Sequence, residues 1–196
     1  MRGIKSDVYE PAEDTFFLAR GVDCLTPCTA LAAEIGCGKG FVTEALATYA
    51  VEVVATDVDY ASAQATWQRA KSRRLDHAIH VICCDRLEAV RVGEVFDFVA
   101  FNPPYLPEEG DSRWSGGPTG IEVPLAFARS ALMRLKRLGV IVFLLSSLSN
   151  WRSALEVLKS AGNIVSLIGA RRVGLFEELL LVLCARRVTR VDDAHP

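Results

Sequence analysis

Several features that would fix the function at once are missing from this sequence of 196 residues. Neither sign of charge dominates, because 22 basic residues stand against 24 acidic ones and the formal net charge is −2. A protein that holds long nucleic acid by phosphate neutralisation alone is therefore not expected, although a local basic patch is compatible with this balance. Apolar runs such as residues 139–145 are too short to cross a bilayer, and residues 1–7 lack the apolar centre of a signal peptide. We expect a cytoplasmic protein without a membrane segment.

Paired spacings of metal ligands are missing as well. The cysteines include no CxxC pair, and no second pair of Cys or His residues matches the zinc-like spacing of Cys24 and Cys28. His77, His80 and His195 show no metal spacing either. We therefore expect no metal site, and we expect reduced, mostly buried thiols. The six cysteines are Cys24, Cys28, Cys37, Cys83, Cys84 and Cys184.

Apolar residues are plentiful, at 51% of the chain, which is enough to build the core of one domain. Short apolar runs alternate with helical patterns, which indicates βαβ units with a parallel sheet, closed by a terminal hairpin. The predicted strands are residues 29–35, 51–56, 79–84, 96–101, 140–145, 164–172 and 178–185. The predicted helices are residues 11–24, 41–49, 60–73, 124–137 and 151–161.

An acidic, glycine-rich segment follows the first predicted strand. Glu34 precedes Gly36, Gly38 and Gly40, which let the backbone approach a ligand closely and leave amides free at a helix N-terminus. The spacing is G-x-G-x-G instead of the dinucleotide fingerprint G-x-G-x-x-G, and a carboxylate at this point would repel a pyrophosphate. It suits a ligand with a cationic amino or sulfonium group, such as S-adenosylmethionine. An ordinary tight turn is the structural alternative, although three alternating glycines exceed what a turn requires.

Two further acids end predicted strands, where open α/β sheets bind ligands. Asp57 follows the second strand, close to the position at which a carboxylate accepts both ribose hydroxyls of an adenosine ligand. Asp85 follows the third strand and has the matching position for the adenine amino group. An acid at a strand end is also often a helix N-cap, so a capping role is the alternative for both residues.

The most specific motif is the tetrapeptide after the fourth strand, Asn102, Pro103, Pro104 and Tyr105. Pro104 forces Pro103 into an extended conformation, which fixes two acceptors next to each other: the Asn102 side-chain oxygen and the Pro103 carbonyl. Together they can hold both hydrogens of a planar NH₂ group, and Tyr105 can lie against its flat face. In the usual doubly wound order the first and fourth strands are neighbours, so this motif and the glycine segment would share one pocket. A purely structural turn would not need that coincidence.

Six features in a fixed order identify a resemblance. They are residues 8–15 (VYEPAEDT), the glycine segment, Asp57, Asp85, residues 102–105 (NPPY) and residues 114–120 (WSGGPTG). The sequence resembles the HemK-type protein-glutamine N-methyltransferases, class I S-adenosylmethionine-dependent enzymes, in their archaeal and eukaryotic release-factor subgroup. The resemblance covers about residues 7–186. The NPPY motif alone is shared with adenine-N6 DNA and guanine-N2 RNA methyltransferases. Residues 8–15 and 114–120 are therefore what narrow the resemblance to the protein-glutamine enzymes.

The resemblance implies roles for individual residues. The implied catalytic residues are the tetrapeptide Asn102, Pro103, Pro104 and Tyr105. The implied contacts with S-adenosyl-L-methionine are Thr15, Glu34, Gly36, Gly38, Gly40, Asp57, Asp85, Arg86 and Asn102. The implied substrate contacts are Asn102, Pro103, Tyr105, Trp114, Gly116 and Gly117, with the loop 114–120 ordering over the acceptor peptide. A disordered surface loop is the alternative there. Arg86 departs from the family, which tends to be apolar after the acid.

The resemblance also implies fold, reaction and partner. We expect one Rossmann-like domain over residues 1–186, with a mostly parallel seven-stranded sheet in the order 3-2-1-4-5-7-6, and a frayed tail over residues 187–196. The implied acceptor is the glutamine of the Gly-Gly-Gln motif in a class-1 translation release factor. Alternatives are an amino group of a nucleic-acid base, a protein lysine, or no reaction in an inactive scaffold subunit. A small zinc-ribbon activator is expected to add a strand to the edge of strand 3, from His80 to Cys84; the alternatives are a self-sufficient monomer or a homodimer through the same edge.

Overall fold

A seven-stranded sheet in the order β3-β2-β1-β4-β5-β7-β6 forms the centre of the computed structural model, which describes residues 10–107 and 115–187. The first five strands pair in parallel, and β7 is antiparallel to both β5 and β6. The predicted fold class and strand order are confirmed. The strands are β1 (Thr29–Ile35), β2 (Ala50–Asp57), β3 (Ile79–Cys83), β4 (Phe96–Phe101), β5 (Leu135–Ser146), β6 (Asn163–Val173) and β7 (Glu177–Arg186).

Helices cover both faces of the sheet. They are α1 (Glu13–Leu25), α2 (Phe41–Leu46), α3 (Tyr60–Arg73), α4 (Glu122–Leu132) and α5 (Trp151–Ser160). The apolar residues of α1, α2 and α3 pack with Phe98 and Val142 on one face, whereas α4 and α5 pack with Phe101 and Phe143 on the other. The central strand β4 is apolar on both faces because both are covered, which is typical of a parallel sheet.

The boundary between α4 and β5 differs from the prediction. The basic residues Lys136 and Arg137 suggest the last turn of a helix, but α4 ends at Leu132 and β5 already begins at Leu135. The Lys136 ammonium bonds both Asp97 oxygens at 2.9 Å, which ties this segment to β4. The strand then bulges at Gly139, where a Cβ would lie 2.9 Å from the Phe96 carbonyl oxygen. The predicted helix over residues 124–137 is therefore wrong in its last turn. The predicted helix over residues 41–49 is also too long, since α2 ends at Leu46.

The expectation of mostly buried thiols is wrong. Cys37 and Cys184 are buried and Cys84 is half-buried, but Cys24, Cys28 and Cys83 are exposed. Cys24 and Cys28 lie at the end of α1 and in the turn after it, and Cys83 lies on β3, which in the described part of the chain has a neighbouring strand on one side only.

Two further sequence expectations concern a membrane span and the polar C-terminal tail. Among residues 10–107 and 115–187, no helix combines the length and apolar character that a membrane span requires. The expected polar tail falls almost entirely on residues 188–196, which lie outside the described residues.

Candidate active site

The carboxyl ends of β1, β2 and β4 bring the predicted site residues together. In the sheet register, Ile35 at the end of β1 aligns with Thr56 on β2 and with Phe101 on β4. The next residues along the chain are Gly36, Asp57 and Asn102, so three of the predicted features begin side by side at one edge of the sheet. The structure therefore confirms that the glycine segment and the asparagine motif are neighbours, although about sixty positions separate them in the sequence (102 − 40 = 62).

The glycine segment has a backbone that ordinary residues rarely adopt. Gly36, Gly38 and Gly40 have φ angles of 75°, 50° and 76°, in the left-handed region that favours glycine. A Cβ on Gly40 would lie 3.0 Å from Thr66, whereas a Cβ on Gly38 would meet nothing within 4 Å. The loop is thus packed against α3 at Gly40 and open at Gly38, where a ligand can approach the backbone.

Side chains of α2 and α3 hold this loop, and the sequence did not single them out. The Thr66 hydroxyl donates to the Gly38 carbonyl at 2.9 Å, and the Thr43 hydroxyl donates to the Glu34 carboxylate. Both threonines are buried. Thr43 lies one turn after the glycine-rich loop, which is a weak sequence signal, whereas Thr66 lies on the next helix and has no such signal.

Glu34 is a buried carboxyl group, with only 3% of the residue exposed. Desolvation raises the pKa of Glu34 to about 8; the hydrogen bonds from Thr43 oppose this shift, and the nearby charge of Asp57 adds to it. The group therefore carries a proton at neutral pH in the protein alone. A cation bound beside it would favour the ionised form, so the site fits a ligand with a positive charge.

Asp57 is bound to the glycine loop and does not cap a helix. Its Oδ2 accepts from the Gly38 amide at 2.9 Å and its Oδ1 from the Asp59 amide at 2.9 Å. The N-cap of α3 is Asp59, which accepts from the Ser62 amide at 3.1 Å. The capping alternative for Asp57 is therefore wrong, and its carboxylate lies at the open side of the loop, where the sequence predicts ribose binding.

Asp85 follows β3, the outermost strand, at the same carboxyl end of the sheet as the other site residues. The residue is exposed, and its Oδ2 lies 2.7 Å from Nη2 of Arg86, which also contacts Glu88 at 3.1 Å. Arg86 has a φ of 48°, a left-handed conformation that is uncommon for a side chain of this size. Arg86, which departs from the family pattern, thus pairs with Asp85, whose carboxylate the resemblance assigns to the adenine amino group.

The asparagine motif contains a buried acceptor without a partner. Oδ1 of Asn102 has no hydrogen-bond partner within the described chain, while its Nδ2 donates to Oδ2 of Asp14 at 2.8 Å. The same Asp14 oxygen accepts from the Tyr105 hydroxyl at 3.2 Å. Because an amide can donate only through its nitrogen, the carboxylate fixes which way the Asn102 side chain faces. The free oxygen is left for a donor from outside.

Asp14 contacts two residues of the motif, and the sequence analysis assigned it no role. It is 7% exposed, lies in the first turn of α1, and its Oδ1 accepts from the Thr15 amide at 2.7 Å. Asp14 belongs to the segment 8–15 that carries the resemblance, but the acid itself is ordinary in a first helical turn because the helix dipole favours it. Thr15, the residue that the resemblance assigns to the cofactor, is held next to this carboxylate.

The loop after the motif folds back on the motif itself. The Gly116 amide donates to the Leu106 carbonyl at 2.9 Å, and a Cβ on Gly116 would lie 2.8 Å from the Tyr105 backbone. Gly117 has a φ of 96°, and a Cβ there would strike the side chain of Glu122. Gly116 and Gly117 therefore allow the loop to approach other residues of the chain closely, namely Tyr105 and Glu122. Trp114, the proposed lid, lies outside the described residues.

Comparison with known proteins agrees with this arrangement. The family model "Methyltransferase small domain" matches residues 22–166. A putative protein N5-glutamine methyltransferase of Methanocaldococcus jannaschii is 32% identical over 90% of both chains, and the human methyltransferase HEMK2 is 30% identical over 82% of both. The solved E. cuniculi Mtq2–Trm112 complex shares the fold, with a TM-score of 0.72 at 24% identity over 91% of this chain and 98% of that one. The chain belongs to the methyltransferase small domain family, among the HemK-type protein-glutamine methyltransferases.

Proposed function

We propose that this methyltransferase uses S-adenosylmethionine to methylate the side-chain nitrogen of a glutamine in a class-1 translation release factor, in the cytoplasm. The observation that carries the proposal is the buried, unpartnered Oδ1 of Asn102. A buried acceptor without a donor costs on the order of 1–3 kcal/mol, so the site is built for a donor that arrives with the substrate. A primary amide supplies that donor.

The residues at the end of β1 and β2 fit S-adenosylmethionine. Gly36, Gly38 and Gly40 would carry the backbone past the ligand, Glu34 would face its cationic amino acid part, and Asp57 would accept from its ribose. When bound, the cofactor supplies an electrophilic methyl group on a sulfonium. Thr15, Asp85 and Arg86 complete the proposed cofactor contacts, and the Asp85–Arg86 pair at 2.7 Å makes the adenine end the most divergent part.

On the acceptor side, the chain orients a poor nucleophile. An amide nitrogen is weak because its lone pair is delocalised. Oδ1 of Asn102 and the carbonyl of Pro103 would accept its two hydrogens and favour the pyramidal nitrogen of the transition state. Pro104 keeps Pro103 extended, and Tyr105 would cover the flat face of the amide. Asp14 keeps Asn102 in the orientation that presents oxygen and not nitrogen.

The relatives support this acceptor. The M. jannaschii relative carries N5-glutamine methyltransferase in its name, and the E. cuniculi complex is responsible for methylating the translation termination factor eRF1. Trp114, Gly116 and Gly117 would border the acceptor peptide, with Trp114 as its apolar cover. A protein substrate needs no basic groove, which agrees with the balance of 22 basic and 24 acidic residues in this chain.

The second part of the proposal is a small zinc-ribbon activator subunit that adds a strand to β3. The solved relative is a two-protein complex, Mtq2 with Trm112. In the described sheet β3 pairs with β2 on one side only, so its outer edge offers free backbone groups. A groove of about 470 Å³ lies beside that edge, between α3 and β3, and is lined in part by Tyr60, Trp67, His80 and Cys83. An added strand could place side chains in it.

Methyl transfer to three acceptors tests the reaction. A recombinant release factor, its Gly-Gly-Gln variant with alanine for glutamine, and bulk nucleic acid are incubated with the enzyme and labelled S-adenosylmethionine. We expect label on the release factor alone, lost in the alanine variant. Equal label on both release factors would indicate another residue, such as lysine. Label on nucleic acid alone would favour the base-methylating alternative and refute the proposed acceptor.

Co-expression with a zinc-ribbon partner tests the activator. We expect a 1:1 complex with higher solubility and activity than the chain alone, and we expect Ile82→Lys on β3 to remove both gains. Val92→Lys is the matched control, since Val92 is 57% exposed and lies away from β3. A chain that is monodisperse and fully active by itself, or an Ile82→Lys variant that still forms the complex, would exclude the proposed edge.

A further inference from the structure

The turn between β6 and β7 presents two large apolar side chains to solvent. Leu175 is 80% exposed and Phe176 is 86% exposed, the highest value among the large apolar residues of the described chain. The turn begins at Gly174, whose φ is 61°, and the strands on either side form a long antiparallel hairpin. The two side chains lie at the tip of this hairpin, and no packing within the described chain explains their exposure.

This turn lies at the same edge of the sheet as the active site. Because β7 runs antiparallel to β5, its first residues face the last residues of β5: the Ser147 amide donates to the Glu178 carbonyl at 2.8 Å, and the Ser146 hydroxyl donates to Glu177 at 2.7 Å. From the other strand, Arg171 lies 3.6 Å from Glu13. Glu13 directly precedes Asp14, the residue that orients Asn102. The hairpin therefore borders the acceptor half of the site.

Two more exposed apolar residues lie on the neighbouring loops. Leu148, 50% exposed, follows the end of β5, and Leu106, 42% exposed, follows Tyr105 of the motif. These loops are joined, since the Asn150 amide donates to the Thr119 carbonyl at 2.9 Å. Three loops at the same end of the sheet as Asn102 thus each carry exposed apolar side chains. We call the set Leu106, Leu148, Leu175 and Phe176 the acceptor rim.

The charges around the rim indicate the kind of molecule that it contacts. Arg172 on β6 is paired across the hairpin with Glu178 on β7, so the polar residues next to the tip carry both signs. A surface that binds a phosphate backbone is instead dominated by basic residues. An apolar centre with mixed polar surroundings is the pattern of a protein–protein contact.

We propose that the acceptor rim, with Leu175 and Phe176 at its centre, docks the folded protein that carries the target glutamine. This inference rests on the proposed function, because it assigns the surface to the same acceptor. An apolar tip beside the reaction site would help to position the acceptor domain relative to Asn102. The tip would add affinity for the whole protein, while a short peptide that reaches only the pocket would gain nothing from it.

Kinetics on two acceptors test the docking. The variant L175S/F176S and the control Leu138→Ser are compared with wild type, each with the activator subunit if one is required. Leu138 is 84% exposed and lies at the start of the extended β5 strand, at the opposite edge of the sheet. We expect the tip variant to lose about tenfold in kcat/KM for the whole release factor, mostly through KM. We expect unchanged kcat/KM for a short Gly-Gly-Gln peptide, and no change for Leu138→Ser on either acceptor.

The outcomes separate the two proposals. If wild type methylates both acceptors and the tip variant matches it on the whole protein, only the docking surface is refuted. An equal loss on protein and peptide would also refute it, since that result indicates damage to the pocket. If wild type methylates neither acceptor, the proposed function fails and the docking inference fails with it.

Discussion

The glycine loop after β1 and the asparagine motif after β4 lie side by side, yet different parts of the chain determine their shapes. The glycine loop is fixed by residues of two consecutive βα units: its three glycines with positive φ, and Asp57 and Thr66, which lie 19 and 28 positions from Gly38. The asparagine motif is fixed by Asp14, a residue 88 positions away on α1. The cofactor half is thus built from consecutive units of the chain, whereas the orientation of Asn102 in the acceptor half depends on a contact with α1.

This difference predicts different consequences of mutation. Changes in the asparagine motif and Asp14 should affect the rate of methyl transfer, because these residues orient the reacting nitrogen. Changes in the glycine loop and its acids should affect cofactor binding first. The distinction fails if a variant of the asparagine motif mainly weakens cofactor binding, or if a variant of the glycine loop mainly lowers the rate of methyl transfer.

The largest effect is expected for Asn102→Ala. Loss of one preorganised acceptor at the reacting centre should lower kcat on the order of 10²–10³-fold. Calorimetry should show the Kd for S-adenosylmethionine changed by less than about threefold, because the residue acts on the acceptor. Asn163→Ala, on β6, is the control and should keep wild-type activity. An Asn102→Ala enzyme with more than about a third of wild-type kcat would remove Asn102 from the mechanism.

The next effect is expected for Asp14→Ala. It removes the partner of two side chains, Asn102 and Tyr105, so that the amide is no longer held with its oxygen outward. Loss of two charge-assisted hydrogen bonds should lower kcat by about a hundredfold. Asp14→Asn, which keeps one acceptor oxygen, should recover part of this loss, whereas Asp23→Asn on the same helix should change nothing. A rise in KM for the cofactor with unchanged kcat would instead make Asp14 a cofactor residue.

A smaller effect, on affinity alone, is expected for Asp57→Ala. Its carboxylate holds the Gly38 amide and is proposed to accept from the ribose, so the Kd for S-adenosylmethionine should rise about tenfold. Asp59→Ala provides the contrast two residues on: loss of the α3 cap should lower the free energy of unfolding by about 1 kcal/mol and leave the Kd unchanged. Identical Kd values in the two variants would contradict the ribose role.

The smallest effect is a pH dependence of cofactor binding. Glu34, with its pKa raised to about 8 by burial, must lose its proton before it can face a cation. The Kd for S-adenosylmethionine should therefore fall by about fivefold between pH 7 and pH 8, as the ionised fraction of Glu34 rises. Glu34→Gln should abolish this slope. A Kd of wild type that is flat or rises over this range would show that Glu34 does not meet the charge.

The same group has an opposite effect on the stability of the protein without cofactor. Its folded pKa of about 8 lies above the ordinary value of 4.5, so the native state holds a proton that the unfolded chain has released. The contribution of Glu34 to stability is therefore fully present below pH 4.5 and is lost as the pH rises through 8. Thermal unfolding of wild type and Glu34→Gln over this range should show the difference.

The sequence predicted the fold because its signals are local and repeated. Apolar runs alternate with helices, and the order of the strands follows from the doubly wound pattern. The end of α4 was wrong because Lys136 resembles a helix-terminal cation, while its actual partner, Asp97, is on another strand. Only the pairing of Lys136 with β4 distinguishes a lysine in a strand from a lysine at the end of a helix.

The site was predicted unevenly for the same reason. Glu34, the glycines and Asp57 could be placed from their positions after strands. The role of Asp14 could not, since it depends on a hydrogen bond across 88 residues and its type is ordinary for a first helical turn. The Arg86 departure was visible in the sequence, but its pairing with Asp85 depended on the left-handed backbone at that residue.

The most direct test of this arrangement is a double-mutant cycle between Asp14 and Asn102, read out as kcat on the release factor. If Asp14 acts through the orientation of Asn102, Asp14→Ala should lower kcat about a hundredfold in wild type but by less than about threefold in the Asn102→Ala background. Thermal unfolding of all four proteins checks that each is folded. A full further loss in the Asn102→Ala background would show that the two residues act independently and would contradict the proposed orientation.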